Sequence, residues 1–325
     1  MILLIGILVA LGIAFAVGKY LQRQPETSLN PAIVQNFNQR VQWWWILYAI
    51  LGLTFLMGGS RIPAVVLFFV ISFWALREFI TLTPTRLGDH RALFSVFFIF
   101  TPLQYILLLV GLDKYPLPGG LTFDLDLLFM NLIPVYVFLY IPARIAVAGD
   151  HKRFLERVAK IQCGLLICVY SLSHAPALLG LKLRVDSGVW GGGPAGLLLF
   201  FIVVVQMSDV FQFGWSRLMG RRVIAPAINA SRTWEGFFGG IISAAVLGAA
   251  LYWVTPFSPP QAAGVSMLLA LMGAAGSITM SAIKRDRGVS DYGTLVEGHV
   301  GVLDRFDSIC FAAPVFYHVT RFLFS

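Results

Sequence analysis

Apolar residues fill this chain in long blocks separated by short polar loops, and that block pattern is its strongest structural signal. A helix needs roughly 20 mostly apolar residues to cross a hydrocarbon core. Blocks near that length lie at 2–18, 43–58, 62–82, 92–111, 127–148, 161–181, 193–213, 236–255, 262–283 and 302–323, the second of them short. The pattern predicts an all-α fold, a polytopic membrane helix bundle with about ten transmembrane spans. No soluble appended domain, long linker or internal repeat is expected. The first block has no basic stretch before it and runs directly into Gly18-Lys19-Tyr20, so it is expected to be a span and not a cleaved leader. The polar residues of chemical interest fall in 191–325, which leaves 1–190 as N-terminal membrane helices.

Composition agrees with a membrane protein. Hydrophobic residues make up 58% and charged residues 12%, with a mean hydropathy of +0.80, whereas a soluble domain carries about 25% charge. The formal net charge of +8 is distributed unevenly. Of the Lys and Arg residues, nineteen lie on or beside the odd-numbered connections, and only Arg61, Lys114, Lys182, Arg184 and Arg321 lie opposite. By the positive-inside rule the odd connections are cytosolic and both termini are external. The excess suits anionic lipid headgroups, and no basic surface domain exists to carry a nucleic acid. Cys163, Cys168 and Cys310 sit in apolar spans and are expected to be buried free thiols.

Charge concentrates in Ser281–Asp307, SAIKRDRGVSDYGTLVEGHVGVLDRFD, where five acids alternate with four bases. In a membrane protein such a cluster marks ion, phosphate or substrate handling. Asp304 and Asp307 are three apart and share a helical face. Two carboxylates without nearby imidazole or thiolate suit a hard ion, and magnesium is the natural choice. Asp291 can reach the same ion across the Gly-rich loop, Lys284 and Arg285 can neutralise phosphate oxygens, and His299 can add a donor or move a proton. The same residues also suit plain interfacial ion pairs, and charge pattern alone leaves both readings open. A second polar stretch, Ser208–Gly236, holds Asp209, Arg232 and Glu235. It suits a phosphate site at a helix start, or an ordinary cytosolic loop with Asn229 or Ser231 as helix cap. A short turn containing Pro256, Pro259 and Pro260 returns the chain, so both stretches are expected at one membrane face.

The order Ser281-x-x-Lys284-Arg285, Ser290-Asp291-x-Gly293, Gly298-His299-x-Gly301 and Asp304-Arg305-x-Asp307-Ser308 closely resembles the signature of the phosphatidate cytidylyltransferases, or CDP-diacylglycerol synthases. Ser208-Asp209 and Ser231-Arg232-Thr233-Trp234-Glu235-Gly236 resemble that family's other marked stretches. These motifs occupy about the last third of the chain. It departs from the family pattern at Ser290, usually Lys, and at Val300-Gly301, usually two glycines.

The resemblance implies transfer of CMP from CTP to phosphatidate, with magnesium held by Asp291, Asp304 and Asp307, and by Asp209 as a further candidate. It implies phosphate contacts from Lys284, Arg285, Arg305 and Arg232, and a homodimer. The charge bias puts the site on the cytosolic side, and a compact chain with no recognisable organelle-targeting segment leads us to expect a bacterial inner membrane. The alternatives are a paralogue acting on another membrane lipid phosphate and an ion-coupled transporter. A transporter would place charge near the middle of several spans, whereas here it gathers at one face. Arg77-Glu78 suits either a lipid headgroup contact or an adjacent interfacial pair. His174 and His318 suit packing, and Trp43-Trp44-Trp45 an interfacial anchor.

Overall fold

Proline sits in the first turn of several helices, where the missing N–H has no intrahelical partner to lose. Pro63 opens α1 (Ile62–Thr81), Pro194 opens α5 (Gly193–Met219), and Pro259-Pro260 opens α7 (Pro259–Asp286). At α7 the entry is also fixed by a capping box, in which the Ser258 amide donates to Gln261 Oε1 at 2.9 Å. This is a computed structural model, and it describes residues 60–82, 85–112, 114–116, 122–183, 192–289, 292 and 301–324, with a few isolated earlier positions. The expected spans 2–18 and 43–58 and the Trp43–Trp45 run fall essentially outside the described residues. The chain forms two compact units, Met1–Ala64 and Val65–Ser325, and the site lies in the second.

After α1 come α2 (Leu87–Val110), α3 (Leu125–Ala146) and α4 (Phe154–Gly180), followed by α5. Each of α2, α3 and α4 contains one widened π turn, at Val96–Phe100, Leu132–Val137 and Leu166–Ser171. A short hairpin of β1 (Lys114–Pro116) and β2 (Thr122–Asp124) joins α2 to α3. Another, β3 (Val223–Ala225) and β4 (Asn229–Thr233), joins α5 to α6 (Trp234–Ala250). The chain ends with α8 (Leu303–Phe324).

Among the described residues six helices, α1 to α5 and α7, are long and apolar enough to cross a membrane. The sequence expectation of about ten counted two blocks outside those residues and two helices that differ from the rest. The apolar α6 has 17 residues, about 25 Å at 1.5 Å per residue, short of a core ~30 Å thick. The 22-residue α8 carries Asp304, Arg305, Asp307 and Arg321. The fold is mostly helical as expected, and the two hairpins add strand that the apolar blocks did not announce.

The centre of the second unit is α5, whose stretch Leu197–Val205 is buried on every side. Such a helix is apolar all round because it is surrounded. It packs against α6, α7 and α8, and Phe201 stacks on Phe316 of α8 with ring centroids 5.2 Å apart. Small residues allow these close approaches. A Cβ on Gly240 of α6 would lie 2.2 Å from Gln212 Cγ, and one on Gly276 of α7 would lie 2.6 Å from the Asp307 carbonyl oxygen. On the other side of α6, Phe238, Ile242 and Val246 form an exposed apolar stripe at helical spacing, the pattern of a lipid-facing surface.

Candidate active site

The polar ends of α5, α7 and α8 meet beside the β3–β4 hairpin, and Arg232 of β4 links them. Its Nη1 donates to Gln212 Oε1 at 2.7 Å, and its Nη2 donates to Asp209 Oδ1 and Ser277 Oγ, both at 2.9 Å. Asp209 and Gln212 are three apart on α5 and so share a face. The ion pair is mostly shielded, with Arg232 and Asp209 side chains 16% and 18% exposed.

The other oxygen of Asp209 accepts from Ser308 Oγ at 2.5 Å, reaching α8. Ser308 also serves Asp307, donating from its amide at 2.7 Å and its hydroxyl at 3.3 Å to Asp307 Oδ1. Asp209 and Asp307, distant in sequence, are thus joined through one hydroxyl. Gly276 makes this possible by letting α8 lie against α7, since a Cβ there would meet the Asp307 carbonyl oxygen at 2.6 Å, and Gly273 of the same helix faces Ser308 and Ser208. Ser208 itself is fully buried and donates to the Val205 carbonyl at 2.8 Å.

Asp304 occupies a separate pairing. Its Oδ1 accepts from Lys284 Nζ at 2.7 Å and its Oδ2 from the Tyr292 amide at 2.9 Å. The Lys284 ammonium also lies 5.6 Å from the centre of the Tyr292 ring, within range of a cation–π contact. Tyr292 is buried and its hydroxyl donates to the Met280 carbonyl, which ties Tyr292 to α7. Of the two readings left open by charge pattern, ion pairing therefore describes Asp304 with Lys284, while Asp307 lies with Asp209.

The hairpin completes the cluster. Asn229 Nδ2 donates to Ser281 Oγ at 3.1 Å, and Asn229 Oδ1 accepts from the Ser231 amide and hydroxyl. Arg285 Nε donates to the Ile228 carbonyl at 3.3 Å. Neither Asn229 nor Ser231 caps α6, contrary to the ordinary-loop reading. Thr233 does, accepting from the Gly236 amide at 3.1 Å, because the hairpin carries the chain further before the helix begins. Glu235 accepts from the Arg221 and Arg222 amides and ties the loop after α5 to the first turn of α6. The Arg305 carbonyl accepts from Gln206 Nε2 at 3.4 Å. Asp291 and His299 lie outside the described residues.

Three contributors were not picked out from sequence: Gln212, Ser277 and Glu78 in its observed role. Gln212 carried a signal, a polar residue three after Asp209 in an apolar helix. Ser277 carried one too, four before Ser281 on the same face of α7. Glu78 is buried, and its two oxygens accept from the Val302 and Leu303 amides at 2.9 and 2.8 Å. Arg77 faces outward, its guanidinium 5.1 Å from the Trp74 ring centre, so the adjacent residues do not act as a pair.

Among the described residues no three His, Cys, Asp or Glu side chains converge into a ready metal site. Two carboxylates and a hydroxyl, from Asp209, Asp307 and Ser308, nevertheless supply hard oxygen atoms. That donor set fits magnesium, which typically takes one or two carboxylates and fills its remaining positions with water and substrate phosphate. Arg232 is bonded to Asp209 in that set, while Lys284 and Arg285, at the end of α7, hold Asp304 and the Ile228 carbonyl.

The model of the cytidylyltransferase family matches residues 38–323 of the chain. YnbB, an uncharacterised protein of Escherichia coli K12, is 34% identical over 287 residues, 87% of each chain. Phosphatidate cytidylyltransferases of Staphylococcus aureus COL and Staphylococcus haemolyticus JCSC1435 are 32% and 33% identical over 120 residues. Those matches cover 36% of this chain and 46% of each enzyme, so the chain spans less than half of their length.

Proposed function

This chain belongs to the cytidylyltransferase family, and from that premise we propose that it transfers CMP from CTP to phosphatidate, releasing pyrophosphate and forming CDP-diacylglycerol. The observation that carries the proposal is the convergence of signature residues from α5, β4, α7 and α8 through Arg232, Asp209 and Ser308. A phosphate oxygen of the acceptor forms a bond to the α-phosphorus of CTP, and the bond from that phosphorus to the β-phosphate bridging oxygen breaks. The acceptor is already anionic, so no serine nucleophile is needed. The difficulty is bringing two polyanions together.

Lys284, Arg285 and Arg232 are the groups that screen phosphate charge, and cationic donors aimed at developing phosphate charge are a principal source of catalysis. For Lys284 this involves exchanging its partner Asp304 for a phosphate oxygen. Asp209 and Asp307 would hold magnesium, with Asp304 and Asp291 as further ligands. When bound, that ion would supply Lewis-acid stabilisation at the phosphates. We place the site at the cytosolic face of a bacterial inner membrane, where CTP arrives from water and the acceptor from lipid, in accord with the positive-inside distribution.

YnbB, matched over 87% of its length, is uncharacterised, which favours testing other acceptors alongside phosphatidate. Purified full-length protein incubated with CTP and either phosphatidate or other membrane lipid phosphates, with products resolved by mass spectrometry, decides among them. The proposal expects CDP-diacylglycerol from phosphatidate as the dominant product. A CDP-lipid formed only from a different acceptor would replace phosphatidate as substrate.

A further inference from the structure

We infer that Glu78 is a positioning residue for the active site: its carboxylate fixes where α8 begins, and thereby where Asp304 and Asp307 stand. This rests on the functional reading above only for the roles of those aspartates, since the contact itself is independent of it.

Glu78 lies in the last turn of α1, 6% exposed between the buried Leu76, Phe79 and Ile80. A carboxylate in such surroundings requires strong hydrogen-bond partners. It finds them 224 and 225 residues away, accepting from the Val302 amide with Oε1 and from the Leu303 amide with Oε2. The first amides of a helix have no intrahelical acceptor, and the helix dipole favours negative charge at that end. Both oxygens are engaged, one on each of two successive amides, so the contact defines a register as well as a location.

Register matters because the polar side chains of α8 come directly after this contact. Asp304 is the next residue after Leu303, and Asp307 and Ser308 lie one turn further on. Starting the helix one residue earlier or later would turn these side chains by about 100° around the axis. Asp304 would leave Lys284, and Ser308 would leave Asp209. Glu78 touches none of these groups directly and acts through the backbone of α8.

Two variants of the full chain test this in detergent micelles. Glu78→Gln keeps the size and one oxygen acceptor but removes the charge and opposes an N–H to an amide N–H. Val302→Pro deletes one donor and leaves the carboxylate untouched, at the residue just before α8, whose amide has no intrahelical acceptor to lose. Activity is normalised to folded protein by size-exclusion chromatography, and deuterium uptake is followed by mass spectrometry.

Both variants are expected to exchange faster in the peptide covering residues 302–307. Their kcat per folded molecule should fall on the order of 10- to 100-fold, the scale of a displacement near 1 Å, while KM for CTP changes by less than about threefold, marking loss in the transition state. Unchanged exchange with wild-type kcat would overturn the inference. So would an activity loss that merely tracks the amount of folded protein, or failure of both variants to fold. If the wild type made no CDP-lipid while both variants still exchanged faster at 302–307, the functional reading would fall and the contact would stand.

Discussion

Gly276→Ala should impair turnover, because the added methyl group strikes the backbone that carries Asp307. Its Cβ would lie 2.6 Å from the Asp307 carbonyl oxygen and 3.1 Å from both Cβ and Cδ2 of Phe311. Ordinary contact begins at 3.4 Å, so if the first turns of α8 move as a body they must retreat by about 0.8 Å. The obstacle is main chain, which cannot rotate aside as a flexible side chain can.

Overpacking costs about 1–3 kcal/mol, whereas replacing a mid-helix glycine by alanine returns about 0.5–1 kcal/mol. Net destabilisation is therefore modest, and activity is the sharper readout. A shift approaching 1 Å at a reacting centre can cost on the order of 100-fold, so a kcat loss of at least about tenfold is expected. Gly264→Ala in the same helix is the control, since nothing lies within 4 Å of its Cβ position. It should leave kcat unchanged and raise thermal stability by about 0.4–1 kcal/mol. Both rates come from CTP-dependent lipid labelling, normalised to folded protein. Wild-type kcat for Gly276→Ala would refute the claim that the α7–α8 approach sets the position of Asp307.

Asp307→Asn should lower turnover by at least about a hundredfold, comparable to the loss of a principal electrostatic stabiliser, with the size-exclusion profile unchanged; near-wild-type rates would remove Asp307 from the site. Arg157→Met tests a network away from the chemistry: Arg157 is 4% exposed and bound to Asp89, itself 1% exposed, at 2.8 Å. Leaving Asp89 buried without its partner should cost about 3–5 kcal/mol, seen as a lower unfolding temperature with KM for CTP unchanged in the protein that survives; an unaltered unfolding temperature would contradict this. For topology, single cysteines replacing Arg217 and Arg287 in a background lacking native thiols should react only with reagents that reach the cytosol. Labelling of either from outside would reverse the assignment.

The apolar blocks located α1 to α5 and α7, because helices spanning an apolar medium need length and hydrophobicity that sequence displays directly, but missed polar helix ends by up to seven residues, as at Phe154 of α4 and Met219 of α5. The order of Lys284, Asp304 and Asp307 carried the resemblance to the family whose model matches residues 38–323. What spacing could not decide was partnership. Asp304 and Asp307 share a helical face, yet Lys284 sits close enough to take the first while Asp209, from α5, stands with the second. Glu78 was visible as a charge but its purpose was hidden by a separation of more than 200 residues. The α6 cap moved from the expected Asn229 or Ser231 to Thr233, because residues 229–233 pair as a strand before the helix starts.

The most direct test of cytidylyl transfer tracks the phosphorus of CTP. Purified protein is given CTP labelled at the α- or γ-phosphate together with phosphatidate, and the organic and aqueous phases are separated. Cytidylyl transfer puts α-label in the lipid and γ-label in pyrophosphate, in equal molar amounts. Transfer of γ-label to lipid, or no lipid labelling from either nucleotide, would contradict it.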